Sequence, residues 1–157
     1  MTDGEISENK WRRHAIRYAP LVLWTLVIFG FSTGAASMDE TSRIIRPILK
    51  YLFPATPDNV INIYHGYVRK LAHFTEYSIL AFFAFRAVRN STIVFLRSWT
   101  LLVPVAIVIV VASLDEFHQS FVASRTSSGW DVLLDVSGGA VTAFSCWFFT
   151  KRLTRAR

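Results

Sequence analysis

Lys70, His73, Glu76 and Tyr77 follow one another at spacings of three and four, which places them on one side of a helix. Further along come Asp115, Glu116, His118 and Gln119, then Arg125, then Asp131 with Asp135 one turn later. Two kinds of chemistry suit these types. His73 with Glu76, or with Asp115 or Glu116 from another helix, makes an acid–base pair, because a carboxylate orients and charge-stabilises an imidazole that titrates near neutrality. Lys70 and Arg125 can hold a phosphate, Arg through paired hydrogen bonds and Lys as a point charge. The catalytic candidates are therefore His73, Glu76 and Glu116, and the candidates for binding a ligand or phosphate are Lys70, Arg125, Gln119, Asp131 and Asp135.

A non-chemical role stands beside these. The same side chains could form a satisfied polar network between helices, each membrane-embedded hydrogen bond contributing about 0.6 kcal/mol. A divalent ion held by Asp115, Glu116, Asp131, His73 and His118 is the weaker alternative, since no H-E-x-x-H spacing is present and Lys70 and Arg125 can neutralise the acids. No metal site is expected, and the sequence names no cofactor. Ser113 and Ser120 lie near the cluster without a nucleophile-elbow sequence around them.

The elements that must position these groups are apolar. Of 157 residues, 52% are hydrophobic, too many for an ordinary soluble domain of this size. Four apolar stretches predict an all-α membrane protein with spans at about 18–33, 71–88, 99–114 and 132–149. Residues 1–17 form a basic N-terminus, 18–150 the transmembrane domain, and 151–157 a basic tail. The connection 39–70 contains Pro47, Pro54 and Pro57, and its segment from Ser42 to Phe53 mixes Arg43, Arg46 and Lys50 with aliphatic residues, the pattern of a helix lying in the interface. Ala35, Ala36 and Ser37 after the first apolar run resemble a signal-peptidase site, a competing interpretation that would leave three spans.

Lys and Arg fix the expected orientation. Eleven fall in residues 1–17, between Arg86 and Arg97 and after Thr150, against six from Asp39 to Lys70 and between Asp115 and Asp131, which favours both termini in the cytoplasm of a bacterial inner membrane. The second span then starts outside, the third ends outside and the fourth starts outside, so the polar groups collect at one membrane face. The net charge of +6 follows from this topology; no RNA-binding or zinc-finger signature accompanies it, and no nucleic-acid partner is expected. Cys146 stands alone in an apolar stretch, which excludes a disulfide framework. Gly138, Gly139, Ala140 and Ala143 give the last span a surface of small residues on which another helix can approach closely. A transporter ranks last, because four spans without an internal repeat must oligomerise to build a usual pathway; self-association is left open.

The segments KLAHFTEYSILAFFAFRA and SLDEFHQSFVASRTSSGWDVLLDVSGGA, with FGFSTGAAS more loosely, resemble the VanZ-like family of membrane proteins. The resemblance runs from about Val22 to Phe149 and rests on K-x-x-H-F-x-E-Y, then D-E-x-x-Q-x-F-x-x-x-R, then D-x-x-x-D/N-x-x-G. It implies an integral membrane protein of the cell envelope, of a type linked to low-level resistance to the glycopeptide teicoplanin, with a membrane lipid or lipid-linked envelope precursor as partner. The family's recurring polar positions fall on Lys70, His73, Glu76, Glu116, Gln119, Arg125, Asp131 and Asp135. Asp135 stands where many relatives carry Asn, which argues against a required carboxylate there. Val122, Ala123 and Ser124 replace the usual Pro-Gly turn before Arg125.

Overall fold

The computed structural model describes residues 3–33, 38–121 and 129–155. Six helices account for nearly all of them, with no strand among the described residues: α1 (Asp3–Ser32), α2 (Met38–Leu52), α3 (Asp58–Arg89), α4 (Val94–Ser98), α5 (Leu102–Gln119) and α6 (Gly129–Arg155). The predicted all-helical class holds. The helices are longer than the apolar runs that announced them. Residues 58–70, assigned from the sequence to the connection, are continuous with the second span, so α3 is a single helix of 32 residues. Pro57 opens α3 where its missing N–H costs nothing, and its carbonyl accepts from Val60 and Ile61 at 3.1 Å. Asn90 ends it, its N–H returning to the Arg86 carbonyl.

Among the described residues, three helices are long and apolar enough to cross a membrane: α1 over Trp11–Ser32, α5, and α6. The fourth expected span, in α3, falls outside this set. Its stretch 71–88 carries His73, Glu76 and Arg86 among apolar residues, and such groups are costly in hydrocarbon unless the surrounding helices shield them. Shielding is what the packing provides. α3 contacts α1, α2, α5 and α6, and Tyr77, Leu80, Ala81 and Ala84 are wholly buried along it. The core joins Tyr77, Leu80 and Ala81 to Ile28 of α1 and to Val108, Val111 and Ala112 of α5. Outward, α1 exposes Val22, Leu23 and Leu26, α5 exposes Ile109 and Val110, and α6 exposes Val141 and Phe144. Such surfaces are stable against lipid and not against water.

Small residues set the spacing. Gly138 lies against the backbone carbonyl of Phe74 in α3, and a Cβ on Gly139 would meet Val108 Cγ1 at 2.6 Å. The stripe expected on the last span is thus the surface through which α6 meets both α3 and α5. Ser78 adds a polar stitch, its hydroxyl 2.7 Å from the Phe74 carbonyl and 3.1 Å from that of Gly138. Trp24 of α1 donates its indole N–H to the Glu76 carbonyl at 2.9 Å.

α2 turns back at Phe53–Pro57 and runs antiparallel to the first third of α3. Thr41 meets His65 at 3.1 Å, Phe53 meets the Tyr64 ring at 5.5 Å between centroids, and Lys50 and Arg46 both pair with Asp58. Leu49 is buried, while Ile44, Ile48, Tyr51 and Leu52 are exposed. One side of α2 therefore packs on the bundle and the other offers apolar side chains outward.

Candidate functional site

The polar residues gather where α1 and α5 end and where α6 begins. His118 Nδ1 and Ser32 Oγ, from the last turns of α5 and α1, lie 3.0 Å apart. At the opposite end Tyr18 meets Ser91 at 3.2 Å and Arg89 meets Thr150 at 3.4 Å, so the bundle carries a different set of contacts at each end.

At the first end lies a cavity of about 250 Å³ between α1, α2, α3 and α5. α3 contributes His65, Arg69, His73 and Glu76, a stripe at spacings of four, four and three. α5 contributes Asp115 and Gln119, again one turn apart, with Ser32 and Thr41 closing the wall from α1 and α2. A groove between α1 and α3, lined by Trp24, Leu71, Thr75 and Ile79, adjoins the cavity; Phe31, Val68, Ala72 and Glu76 border both. On the other side of α3, a smaller cavity of about 150 Å³ is lined by Lys70, Asp131 and Asp135, and again by Arg69 and His73.

His73 thus stands between two chambers. Its Nδ1 is 3.9 Å from Glu76 Oε2 and 3.9 Å from Asp135 Oδ1, an ion-pair distance to each and too long for a direct hydrogen bond. Behind it is a fully buried carboxylate. Asp115 is 2% exposed, and its Oδ2 accepts from the Tyr77 hydroxyl at 3.0 Å and from Gln119 Nε2 at 2.8 Å. Its Oδ1 accepts no hydrogen bond among the described residues. A buried carboxylate oxygen in that state calls for a partner outside the described side chains, whether water, an ion or a ligand.

The sequence-derived candidates separate into groups. Glu76 and Gln119 line the larger cavity, Lys70, Asp131 and Asp135 line the smaller one, and His73 lines both. Glu116 is half-buried and lines neither; one residue of helical rotation, about 100°, carries its neighbour Asp115 to the cavity instead. Arg125 lies outside the described residues. No cluster of metal-binding type occurs among the described residues. Arg69 is absent from the sequence-derived candidates, yet it borders both chambers. Its signal is the spacing from His65 and to His73, four residues each way.

His65 couples the cavity to α2. It is 2% exposed, and burial first, then the positive charges of Arg69 and Arg46, hold its pKa below the ordinary 6.5. A base whose pKa is depressed by docking binds fewer protons docked than undocked, so the contact is fully stable above pH 6.5 and weakens as the pH falls below it. Asp58, at the other end of the contact, has its pKa lowered by Lys50 and then Arg46, and so stays charged across that range. We expect spin labels at exposed Arg43 and Tyr67, in a Cys146→Ala background, to show a broader separation at pH 5 than at pH 7.5. His65→Gln should abolish the difference. A pH-independent separation in the native chain would refute the coupling.

Neither a curated protein nor a solved structure matches this chain. The model of the VanZ/LLP1 family matches residues 16–150, a stretch that takes in α3, α5, both chambers and the His73 junction between them. The chain belongs to the VanZ/LLP1 family.

Proposed function

We propose that this protein recognises a lipid-linked or phosphorylated component of the bacterial envelope at the polar end of its bundle, and that it modifies that component through His73. In this reading residues 71–88 of α3 form the fourth span, both termini are cytoplasmic, α2 lies in the outer interface, and the two chambers open on the extracytoplasmic side. Shielding by α1, α5 and α6 supports placing α3 in the membrane, since its polar side chains face protein-lined chambers.

One observation carries the proposal: a cavity holding a cation, imidazoles and carboxylates shares the wall residues Phe31, Val68, Ala72 and Glu76 with an apolar groove between α1 and α3. That arrangement suits an amphiphile entering sideways, polar head inward and chain toward the lipid. Arg69 is the anion holder for the larger cavity and Lys70 for the smaller, with Arg125 a further anion holder expected from the sequence. His73, between Glu76 and Asp135, is placed to accept or return a proton on a bound headgroup. A protein that holds wall precursors or lipids at this face fits a family linked to teicoplanin resistance.

Mass spectrometry of lipids retained by protein purified in mild detergent tests this. The native chain should carry a phosphorylated lipid above its bulk proportion, and Arg69→Ala at equal folded yield should reduce it on the order of tenfold, the equivalent of about 1.4 kcal/mol. Identical bulk lipid on native protein, Arg69→Ala and Arg125→Ala would leave helix packing as the better account of the polar cluster.

A further inference from the structure

The proposed function leaves the headgroup chemistry open, and the larger cavity narrows it. Its charges are ordered along one helix. Arg69 precedes Glu76 by seven residues, about 10 Å along α3, and Asp115 faces the same space from α5. A purely anionic headgroup would satisfy Arg69 and be repelled by Glu76 and Asp115. A purely cationic one would meet the opposite conflict.

Asp115 decides between the possibilities. Both of its protein donors, Tyr77 and Gln119, converge on Oδ2, and Oδ1 is left with none among the described residues. No described Lys or Arg forms an ion pair with it. A carboxylate that takes two donors on one oxygen, at 2% exposure, is stabilised by a positive group at the other. Among the described residues, the protein supplies hydrogen bonds that hold Asp115 in place and no cation paired with it.

Resting on the proposed function, we infer that the larger cavity binds a zwitterionic aminophospholipid headgroup, its phosphate on Arg69 and its primary ammonium on Asp115, with one acyl chain in the α1–α3 groove. The groove fixes the direction. It follows α3 from Val68 to Ile79 and meets the cavity at Ala72 and Glu76, so a chain lying along it delivers a phosphate to the cavity mouth. An ethanolamine arm of two methylenes then reaches inward past Arg69. Arg binds phosphate through paired N–H groups, and a primary ammonium brings three donors to a carboxylate whose buried Oδ1 has no donor among the described residues.

The test is binding by native mass spectrometry of the full chain in detergent, offered phosphatidylethanolamine, its N-acetylated form, phosphatidylglycerol and polyprenyl phosphate at equal concentration. Phosphatidylethanolamine should bind on the order of tenfold more than phosphatidylglycerol or the N-acetylated lipid. Asp115→Asn should erase that preference while keeping residual phosphatidylglycerol binding. Glu76→Gln, which leaves the Tyr77–Asp115–Gln119 contacts intact, should weaken the preference and serves if Asp115→Asn folds poorly. Ala72→Trp, at the junction of cavity and groove, should lower binding of every two-chain lipid. Equal binding of phosphatidylethanolamine and phosphatidylglycerol overturns the inference and leaves the proposed function standing. So does stronger binding of polyprenyl phosphate, or a preference that survives both substitutions. Absence of any bound phospholipid overturns both.

Discussion

Gly138→Ala should destabilise the protein by about 2–3 kcal/mol, at the upper end of what a single added methyl costs in a packed interior. The reason is the identity of the obstacle. A Cβ at Gly138 would run into the backbone carbonyl of Phe74, and a helical backbone cannot step aside as a flexible side chain can. α6 must therefore move off α3, taking with it the Ser78 contact to the Gly138 carbonyl and the approach of Asp135 to His73. Gly139→Ala provides an internal comparison. Its obstacle is the Val108 side chain, at 2.6 and 2.8 Å, so Val108→Ala should recover much of the loss at position 139 and none of the loss at position 138. Gly66 has nothing within 4 Å of the point where a Cβ would stand. Its replacement by Ala should therefore gain about 0.5–1 kcal/mol, as helix propensity requires. Equilibrium unfolding in mixed micelles of detergent and SDS would measure all of these variants. A native-like unfolding midpoint for Gly138→Ala would mean that α3 and α6 do not approach as closely as these contacts require.

Periodicity alone reveals the helices and the grouping of polar residues at one end, because a membrane helix must announce itself by apolar length and must concentrate its costly side chains where other helices can receive them. It reveals less about which of two adjacent polar residues faces inward. Asp115 and Glu116 are both acidic and both end the same helix, yet only Asp115 lines the cavity; the choice depends on the rotation at which α5 seats against α3, and that is set by Val108 on Gly139 and Ala112 in the core. Arg69 is obscured in another way. Lys70 carries the recurring motif and draws attention as the phosphate-binding cation, although position 69 is the one in register with His65 and His73. The start of α3 is also illegible, since the residues from Tyr67 to Lys70 resemble a loop until the helix is seen to run through them from its contact with α2 at His65. The membrane boundaries follow the same logic: apolar length identifies α1, α5 and α6, while a helix sheltered by its neighbours need not look like a span.

Tyr77 and Asp115 offer the sharpest separation between a packing network and a binding site. Tyr77→Phe removes a fully buried hydroxyl that donates to Asp115, leaving the carboxylate with Gln119 as its remaining donor; the expected cost is about 1–3 kcal/mol. Asp115→Asn keeps the shape and a carbonyl oxygen that can still accept from Tyr77 and Gln119, so its stability cost should be smaller, while the negative charge is gone. The double variant closes a cycle whose coupling energy should be about 0.5–3 kcal/mol, since the two side chains touch. The discriminating result lies in how stability and ligand retention divide. If the cluster exists to hold helices together, both single variants lose stability and any change in bound lipid follows the folded fraction. If Asp115 serves a ligand, Tyr77→Phe retains lipid per folded molecule despite its larger stability loss, and Asp115→Asn loses lipid despite its smaller one. Opposite ordering of the two effects cannot arise from packing alone, because a residue that acts only through stability cannot lose function at a smaller stability cost than a neighbour that keeps it.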